Sequence, residues 1–334
     1  MSSTIITAKI SRWIEKQLAA HALNQTGNIV QVQVQPWGIV LRIPTNKGDL
    51  YFKAAGGSVR EETAVTATLA RLQPHHLPHL YAANTTQSWL LMADGGQRLR
   101  EAFQEGLPMT SWHNALADYA QFQLTIAPHA NTLLRQGTRD RRLENFPKLY
   151  EWLLADVDWL LIGEEGGLTA AEYEQAKAAV PMVAALCERL AAFKVPASIH
   201  HNDLHDGNIF VRNGRYRFFD WGDSSISHPF FSLRTAFVSI ESRFNLDERD
   251  PIFDTFAASY LKPWETYESK ENLWQAYRLA RPLWSISSAI KYKTILAPYP
   301  AARADYAIAV PSLLQEFLAE LALTGDMSLN NLSE

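Results

Sequence analysis

The hydrophobic periodicity of this chain changes near Gly95–Gly96, and this change constrains the fold more than any other feature. Before it, residues 28–35 read NIVQVQVQ, an alternation typical of a half-buried strand. After it, apolar residues recur at helical spacing over most of the chain. The sequence therefore predicts a small β-rich lobe over residues 1–96 and a larger, mainly helical lobe over residues 97–334. Strands are predicted at 28–35, 39–43, 50–54, 79–83 and 89–92, with helices at 8–22 and 60–72.

The helical part contains one predicted β hairpin, with strands at 208–211 and 216–219 around Asn213-Gly214. Helices are predicted on either side of it at 112–125, 146–161, 170–193, 250–260, 271–294 and 302–323. The hairpin is the only β signal in this half of the sequence, which singles out the residues around it.

Composition excludes several classes of protein. A single cysteine, Cys187, rules out a disulfide framework within the monomer and a cysteine-based zinc site. A net charge of −4 argues against non-specific nucleic-acid binding. No stretch approaches the roughly 18–20 apolar residues of a membrane span. The N-terminal segment is broken by charges such as Lys9 and Arg12, so it lacks the apolar core of a signal peptide, and we expect a cytoplasmic protein.

The two halves differ in charge. Residues 1–96 carry a net charge of +3 and the remainder carries −7. The acidic half is a mild indication of a cationic small-molecule partner, and a solvated acidic surface is the simpler explanation. The sequence leaves both interpretations open, and it predicts no oligomeric state.

Residues 198–233 carry the chemistry, in the sequence SIHHNDLHDGNIFVRNGRYRFFDWGDSSISHPFFSL. Phosphoryl transfer to a hydroxyl needs a carboxylate that orients the hydroxyl and oxygen ligands for a metal that neutralises the phosphates. Asp203, Asn208 and Asp220 have the chemistry for these roles in that order: catalytic carboxylate, neutral metal ligand and anionic metal ligand. Because oxygen ligands suit a hard cation, the predicted metal is Mg²⁺.

This stretch resembles the aminoglycoside phosphotransferase-like family, small-molecule kinases with the protein-kinase-like fold. The family pattern is His-Gly-Asp-Leu-His-x-Gly-Asn followed by Asp-Trp, and only Asn202 departs from it, where glycine is usual. The resemblance implies an α+β, two-lobed protein-kinase-like fold with ATP and Mg²⁺ as cofactors. The matching residues are His201, Asp203, Leu204, His205, Gly207, Asn208, Asp220 and Trp221.

The resemblance also implies a lysine on the third strand that holds the α- and β-phosphates. Lys53 lies on the third predicted strand. Its implied partner is a glutamate in the following helix, for which Glu62 fits the family's spacing and Glu61 is the alternative.

Further nucleotide contacts are implied at two places. Met92, Ala93 and Asp94 correspond to the hinge, where backbone groups meet the adenine. Trp37 and Gly38 lie between the first two strands, where the family places its phosphate-covering loop. The chain has no GxGxxG motif at this loop, so its role as a phosphate cradle is the weakest part of the resemblance.

Two supporting residues complete the predicted site. His201 is expected to support the catalytic loop by hydrogen bonding, and Asp223 would add a second carboxylate near the metal. The segment from Gly222 to His228 is too short for a peptide-docking loop, so the expected acceptor is a small hydroxylated molecule: aminoglycoside-like, an amino alcohol or a sugar.

Two other hypotheses remain open from the sequence. A catalytically silent module could keep this fold and bind nucleotide without transferring phosphate. A metal-dependent hydrolase could use the cluster of His200, His201 and His205, whose imidazoles would favour zinc or iron.

Overall fold

The computed structural model describes residues 7–102, 106 and 108–326, so the first six residues of the predicted N-terminal segment lie outside it. The β-rich part of the chain begins with a helix capped by Thr7, whose hydroxyl accepts the Ile10 N–H at 3.3 Å. Its elements, in chain order, are α1 (Ala8–Ala20), β1 (Val30–Gln35), β2 (Gly38–Thr45), β3 (Gly48–Ala55), α2 (Glu62–Leu72), β4 (Leu80–Asn84), β5 (Trp89–Ala93), β6 (Gln97–Arg98) and α3 (Leu99–Ala102).

The first five strands form one antiparallel sheet in the order β1-β2-β3-β5-β4. Side chains alternate between the two faces of a strand, so adjacent residues on β3 lie on opposite faces of the sheet. Phe52 is fully buried and packs with Ile14 and Leu18 of α1. Lys53 points to the other face, opposite Val40 on β2 and Leu90 on β5. The sheet thus buries one face under α1 and presents the predicted phosphate-binding lysine on the other.

The rest of the chain is mainly helical. Five short strands, β7 to β11, lie between its helices. Its elements, in chain order, are α4 (Met109–Ile126), α5 (Ala130–Arg135), β7 (Arg139–Arg141), α6 (Phe146–Leu154), α7 (Ala170–Ala178), α8 (Val180–Ala191), β8 (Ser198–His200), β9 (Ile209–Arg212), β10 (Arg215–Phe218), β11 (Ser225–Ser227), α9 (Ser232–Phe244), α10 (Ile252–Leu261), α11 (Lys270–Leu296), α12 (Pro300–Asp305) and α13 (Ala309–Asp326).

The predicted helix over residues 170–193 is wrong in one respect, because it is two helices that meet at Ala179. Pro181 lies in the first turn of α8, where its missing N–H needs no partner. The predicted helix at 302–323 is likewise divided, into α12 and α13. Among the described helices, none combines the length and apolar character needed to cross a bilayer.

The described residues divide into two compact units, one within Met1–Ala102 and Ile209–Gly222 and the other within Phe103–Asn208 and Asp223–Glu334. The hairpin β9–β10 groups with the first unit because β9 pairs with β6. The division at residue 96 stays a prediction about lobes. The α+β fold class, with an antiparallel sheet and a large helical part, is confirmed.

In the second unit, a three-stranded sheet β7-β11-β8 brings two chain segments together. Strand β11 runs parallel to β7 and antiparallel to β8, with Ser225 opposite both Arg139 and His200. The segment after β8 contains Asp203, and the segment before β11 contains Asp223. The pairing of β8 with β11 therefore fixes the backbone positions of the segments that carry Asp203 and Asp223.

Candidate active site

In the first unit, Lys53 lies at the centre of a cluster of charges. Its Nζ donates to Glu62 Oε1 and to Asp220 Oδ1, each at 2.7 Å. The Glu62 side chain is 2% exposed, so it is a buried anion held by the lysine. Burial acts to lower the pKa of Lys53, but the charges of Asp220 and Glu62 outweigh it and raise the pKa above its ordinary value. Lys53 is therefore a fixed ammonium ion.

The structure brings Glu62, rather than Glu61, to this lysine. Glu61 stands at the N-terminal end of α2 and pairs instead with Arg60, at 3.1 Å. Glu62 is the first residue of α2, so the side chain projects from a fixed backbone position toward β3.

Asp220 reaches Lys53 from an uncommon backbone conformation. Its φ angle is +67°, in the left-handed region that residues other than glycine rarely adopt. Such strain persists only where the surrounding structure imposes it, and it is concentrated at functional sites. Gly222 follows closely, and a Cβ there would lie 3.2 Å from Val59 and 3.4 Å from Glu62 Oε2. The turn after β10 thus packs tightly on the start of α2 and directs the Asp220 carboxylate to Lys53.

The predicted phosphate-covering residues, Trp37 and Gly38, form the tight end of the β1–β2 hairpin. A Cβ on Gly38 would lie 2.8 Å from the carbonyl oxygen of Ala54, which explains glycine at this position by close strand packing. The Trp37 carbonyl accepts the Gly56 N–H at 2.9 Å. Contact of this hairpin with phosphates stays a prediction.

At the predicted hinge, β5 ends at Ala93 and the backbone amides already have partners. The Ala93 N–H donates to the His79 carbonyl at 2.8 Å, and the Asp94 N–H donates to the Asp49 carbonyl at 3.1 Å. Met92 lies one residue earlier, within the strand. A nucleobase contact at these residues would therefore use carbonyl oxygens or side chains rather than these two amides.

Sequence reasoning missed an aromatic pair beside the hinge. The rings of Phe210 and Phe219 are stacked, with centroids 4.1 Å apart and planes at 14°. The Phe210 ring fills the space next to Gly95, where a Cβ would lie 2.0 Å from it. Both residues read as ordinary strand positions in the sequence, because only the pairing of β9 with β6 brings them to the end of β5. Through Phe210, the pair packs against Gly95, which directly follows the predicted hinge residues.

In the second unit, the loop after β8 is organised around Asp203. The Asp203 N–H donates to His201 Nδ1 at 3.3 Å, which is the contact that the predicted supporting role of His201 requires. Asn208 Nδ2 donates to the Asp203 carbonyl at 2.9 Å and to Asp203 Oδ2 at 3.0 Å. With the amide nitrogen bonded in this way, the Asn208 Oδ1 atom is directed away from Asp203 as an acceptor. An amide oxygen of this kind suits a hard divalent cation.

The structure explains why Asn202 can replace the usual glycine of the family motif. Its φ angle is +66°, a conformation that glycine adopts freely and asparagine tolerates better than most residues. Its Nδ2 donates to the Asp223 carbonyl and to Ser225 Oγ, both at 2.9 Å. Asparagine thus keeps the backbone conformation of a glycine and also joins the loop to β11.

Two further side chains contact the Asp203 carboxylate, and the predicted kinase site assigned a role to neither of them. His205 Nε2 lies 3.4 Å from Asp203 Oδ2, while His205 Nδ1 accepts the Gly207 N–H at 2.9 Å. Lys291 Nζ lies 3.7 Å from Asp203 Oδ1 and 3.5 Å from Asp223 Oδ2. His205 was visible in the motif, but Lys291 lies on the distant α11 and no sequence signal connects it to the loop.

These contacts determine the charge of Asp203. Its burial acts to raise the pKa, but Lys291 and then His205 lower it well below the ordinary value of a carboxyl group. Asp203 is therefore an ionised carboxylate at neutral pH, as a residue that accepts a proton from a hydroxyl must be.

The histidines do not form a metal cluster. His200 is buried, its Nδ1 lies 2.9 Å from Ser232 Oγ, and burial lowers its pKa well below the ordinary value. In the part of the chain that the structure describes, no three histidine, cysteine or acidic side chains are placed to hold a metal ion together. This arrangement gives the hydrolase hypothesis no site. A magnesium ion in a kinase needs only one or two protein oxygens beside the phosphates. Asn208 and Asp220 each carry an oxygen donor of this kind, and their role as metal ligands stays a prediction.

A two-unit α+β fold with these two clusters defines a small-molecule phosphotransferase of the kinase-like class. The chain belongs to the phosphotransferase enzyme family, whose model matches residues 29–279. The resemblance seen in the motif is thereby confirmed. A comparison of the sequence with curated proteins finds no match.

Solved structures agree with the fold. A choline/ethanolamine kinase family protein from Mesorhizobium loti has a TM-score of 0.57 at 16% identity, over 94% of this chain and 99% of that one. A choline kinase from Cryptosporidium parvum has a TM-score of 0.63 at 12% identity, over 91% and 92%. Amicoumacin kinase in complex with AMP-PNP, Ca²⁺ and Ami has a TM-score of 0.54 at 12% identity, over 93% and 95%.

Proposed function

We propose that this protein transfers the γ-phosphoryl group of ATP to a hydroxyl group of a small molecule, with Mg²⁺ as the metal. The observation that carries the proposal is the bridge from Lys53 to Glu62 and Asp220, at 2.7 Å on both sides. A fixed ammonium ion held by a helix glutamate is the arrangement that positions the phosphates of a nucleotide in kinases. The solved amicoumacin kinase complex, which holds AMP-PNP and Ca²⁺, supports a nucleotide and a divalent cation in this fold.

Each cluster has its own task in this proposal. In the first unit, Lys53 neutralises the α- and β-phosphates, and Asp220 supplies a carboxylate to the metal. In the second unit, Asn208 offers its Oδ1 to the metal while its amide nitrogen holds Asp203. Bound Mg²⁺ would supply charge neutralisation on the phosphate oxygens. Most of the rate acceleration in phosphoryl transfer comes from such positioning and electrostatics.

Asp203 acts on the acceptor. As an ionised carboxylate held by the Asn208 amide, it can accept a hydrogen bond from the acceptor hydroxyl and orient its oxygen toward the phosphorus. As the O–P bond forms and the bond to ADP breaks, the hydroxyl proton passes to the carboxylate. The products are ADP and a phosphate monoester.

The acceptor is a small hydroxylated molecule, and residues 97–334, with their net charge of −7, favour a cationic one. The structural relatives differ in the substrates that their names state, namely choline and amicoumacin. A panel of amino alcohols, aminoglycosides, macrolides and sugars therefore covers the range to be tested.

The test has two parts. Calorimetric titration with Mg·AMP-PNP is carried out on the wild type and on Lys53→Met. The matched control is Lys47→Met, at an exposed lysine in the turn between β2 and β3. Release of ADP is then followed with the acceptor panel. We expect binding to the wild type and to Lys47→Met, loss of most of the affinity in Lys53→Met, and ADP release with at least one acceptor.

Two outcomes would contradict the proposal in different ways. Nucleotide binding without ADP release or phosphorylated product on any acceptor would favour a catalytically silent binding module. Equal binding by Lys53→Met and the wild type would mean that the Lys53 cluster does not serve a nucleotide.

A further inference from the structure

Lys291 is a lysine that the helical unit buries beside its catalytic loop. It lies on α11, and only 7% of it is exposed. Lysine is rarely buried without a partner, because removing an ammonium ion from water is costly unless an opposite charge compensates. Here the compensation comes from two carboxylates, those of Asp203 and Asp223, at 3.7 and 3.5 Å.

These two carboxylates approach each other because of the sheet. Asp203 follows β8 and Asp223 precedes β11, and the two strands are paired, with Ile199 opposite Ile226. The Asn202 side chain ties the two segments together by donating to the Asp223 carbonyl. Two anions at neighbouring strand ends repel each other, so a cation close to both stabilises this arrangement.

The catalytic segment cannot supply this cation itself. Residues 198–208 read SIHHNDLHDGN and contain neither lysine nor arginine. Lys291 fills this role from a different element. The burial of Lys291 acts to lower its pKa, and the charges of Asp203 and then Asp223 raise it above the ordinary value, so the side chain stays an ammonium ion.

A neighbouring lysine shows what a purely structural contact looks like on the same helix. Lys293 is 3% exposed, donates to the Trp152 carbonyl at 2.9 Å and lies 4.0 Å from the centre of the Trp152 ring. Its acidic partner is Asp156, at 3.3 Å. None of these groups belongs to the predicted site. Lys291 differs because both of its carboxylate partners, Asp203 and Asp223, belong to the predicted site.

We propose that Lys291 is a positioning residue for phosphoryl transfer, whose ammonium group holds the Asp203 carboxylate in place for the acceptor hydroxyl and shields it from Asp223. This inference rests on the proposed function. At 3.5 to 3.7 Å the ammonium attracts both carboxylates without forming a short hydrogen bond to either. The Asp203 Oδ1 atom, which faces Lys291, can therefore still accept a hydrogen bond from the acceptor, while Oδ2 is bonded to the Asn208 amide.

The test compares Lys291→Met with Lys291→Arg and with Lys293→Met as the matched control, using Mg·ATP and an acceptor found on the panel. A misplacement of about 1 Å near reacting atoms costs roughly 100-fold, so we expect kcat of Lys291→Met to fall by about 100-fold. Its KM for ATP should stay within about twofold, since the nucleotide contacts are unchanged. Lys291→Arg, which keeps the positive charge, should recover a large part of the rate.

The control separates positioning from folding. Lys293→Met should lower the melting temperature and leave kcat per folded enzyme close to the wild-type value. Lys291→Gln keeps a polar head group of similar length and is measured alongside, so that poor folding of the methionine variant does not decide the result.

Two results would overturn the inference. If Lys291→Met and Lys291→Gln are folded and keep the wild-type kcat, the lysine has no positioning role, although the proposed function stands. If kcat falls equally in Lys293→Met, the effect belongs to α11 as a whole. A wild type that is inactive on every acceptor would instead overturn the proposed function, and this inference with it.

Discussion

Asn202 and Asp220 have nearly the same backbone conformation, with φ angles of +66° and +67°. Both stand at turns of the predicted site: Asn202 directly precedes Asp203, and Asp220 is itself the predicted metal carboxylate. Residues without glycine's freedom keep such conformations when their side chains compensate for the strain. For Asn202 the compensation is visible in its bonds to the Asp223 carbonyl and Ser225 Oγ.

A pair of substitutions at Asn202 separates strain from hydrogen bonding. Asn202→Gly loses the two side-chain bonds but relaxes the backbone, whereas Asn202→Ala loses the same bonds and keeps the strain. We expect Asn202→Ala to be less stable than Asn202→Gly by about 1 kcal/mol, measured by denaturant unfolding. Equal stability of the two variants would mean that the loop relaxes from its left-handed conformation.

The pKa of Glu241 predicts that the stability of the folded protein depends on pH. Burial, followed by the charges of Glu248 and Glu316, raises its pKa to about 7 from an ordinary value of 4.5. The folded state therefore binds this proton more tightly than the unfolded chain, and the resulting stability is lost as the pH rises from 4.5 through 7.

Replacing the Glu241 carboxyl group with the uncharged amide of glutamine tests this dependence. Near pH 4.5, Glu241→Gln should melt close to the wild type, and at pH 8 it should melt at a higher temperature, because the wild type then carries a poorly solvated charge. A difference in melting temperature that does not change with pH would contradict the raised pKa.

At the scale of elements, the long and strongly periodic ones were predicted best. The helix predicted over residues 271–294 is α11, which continues through Pro282. The strands β7, β8 and β11 were not predicted, because three residues are too few to show a period. These short strands nevertheless position the loop that carries Asp203, since pairing with β11 determines where β8 ends.

The connection from β5 to β6 depends on close packing with β9. A Cβ on Gly95 would lie 2.0 Å from the Phe210 ring, which cannot be accommodated without moving the strand or the ring. Gly95→Ala should therefore lower the melting temperature markedly. Gly56→Ala is the matched control, because its Cβ would make only an ordinary contact, 3.9 Å from the Trp37 carbonyl. Equal effects of the two substitutions would show that loss of glycine, rather than the contact with Phe210, is responsible.

At the scale of the whole molecule, stability and ligand binding are linked. A ligand that binds only the folded state raises stability by roughly 2.7 kcal/mol at about 100 times its dissociation constant. We expect Mg·ATP to raise the melting temperature more than ATP alone, and we expect Asp220→Ala to lose the metal-dependent part of the shift. A metal-dependent shift that persists in this variant would remove Asp220 from the proposed metal site.

The catalytic carboxylate should behave differently in the same assay. Asp203→Ala is expected to lower kcat strongly and to leave the affinity for ATP nearly unchanged, because Asp203 is proposed to act on the acceptor. Steady-state kinetics and calorimetry check the two quantities separately. An equal loss of ATP affinity would place Asp203 at the nucleotide instead.

The sequence by itself determined the α+β class, the five strands of the sheet and the family, because alternation and motif spacing are local properties of the chain. For the same reason, the sequence identified the candidate site residues in their chain order: Lys53, Glu62, Asp203, Asn208 and Asp220. The tertiary structure decided between Glu62, which the sequence favoured, and Glu61 as the partner of Lys53. Only the tertiary structure showed that Phe210 stacks on Phe219 and that Lys291 lies beside Asp203. These contacts join residues from separate elements, and they depend on how strands pair and helices pack, which no local pattern encodes.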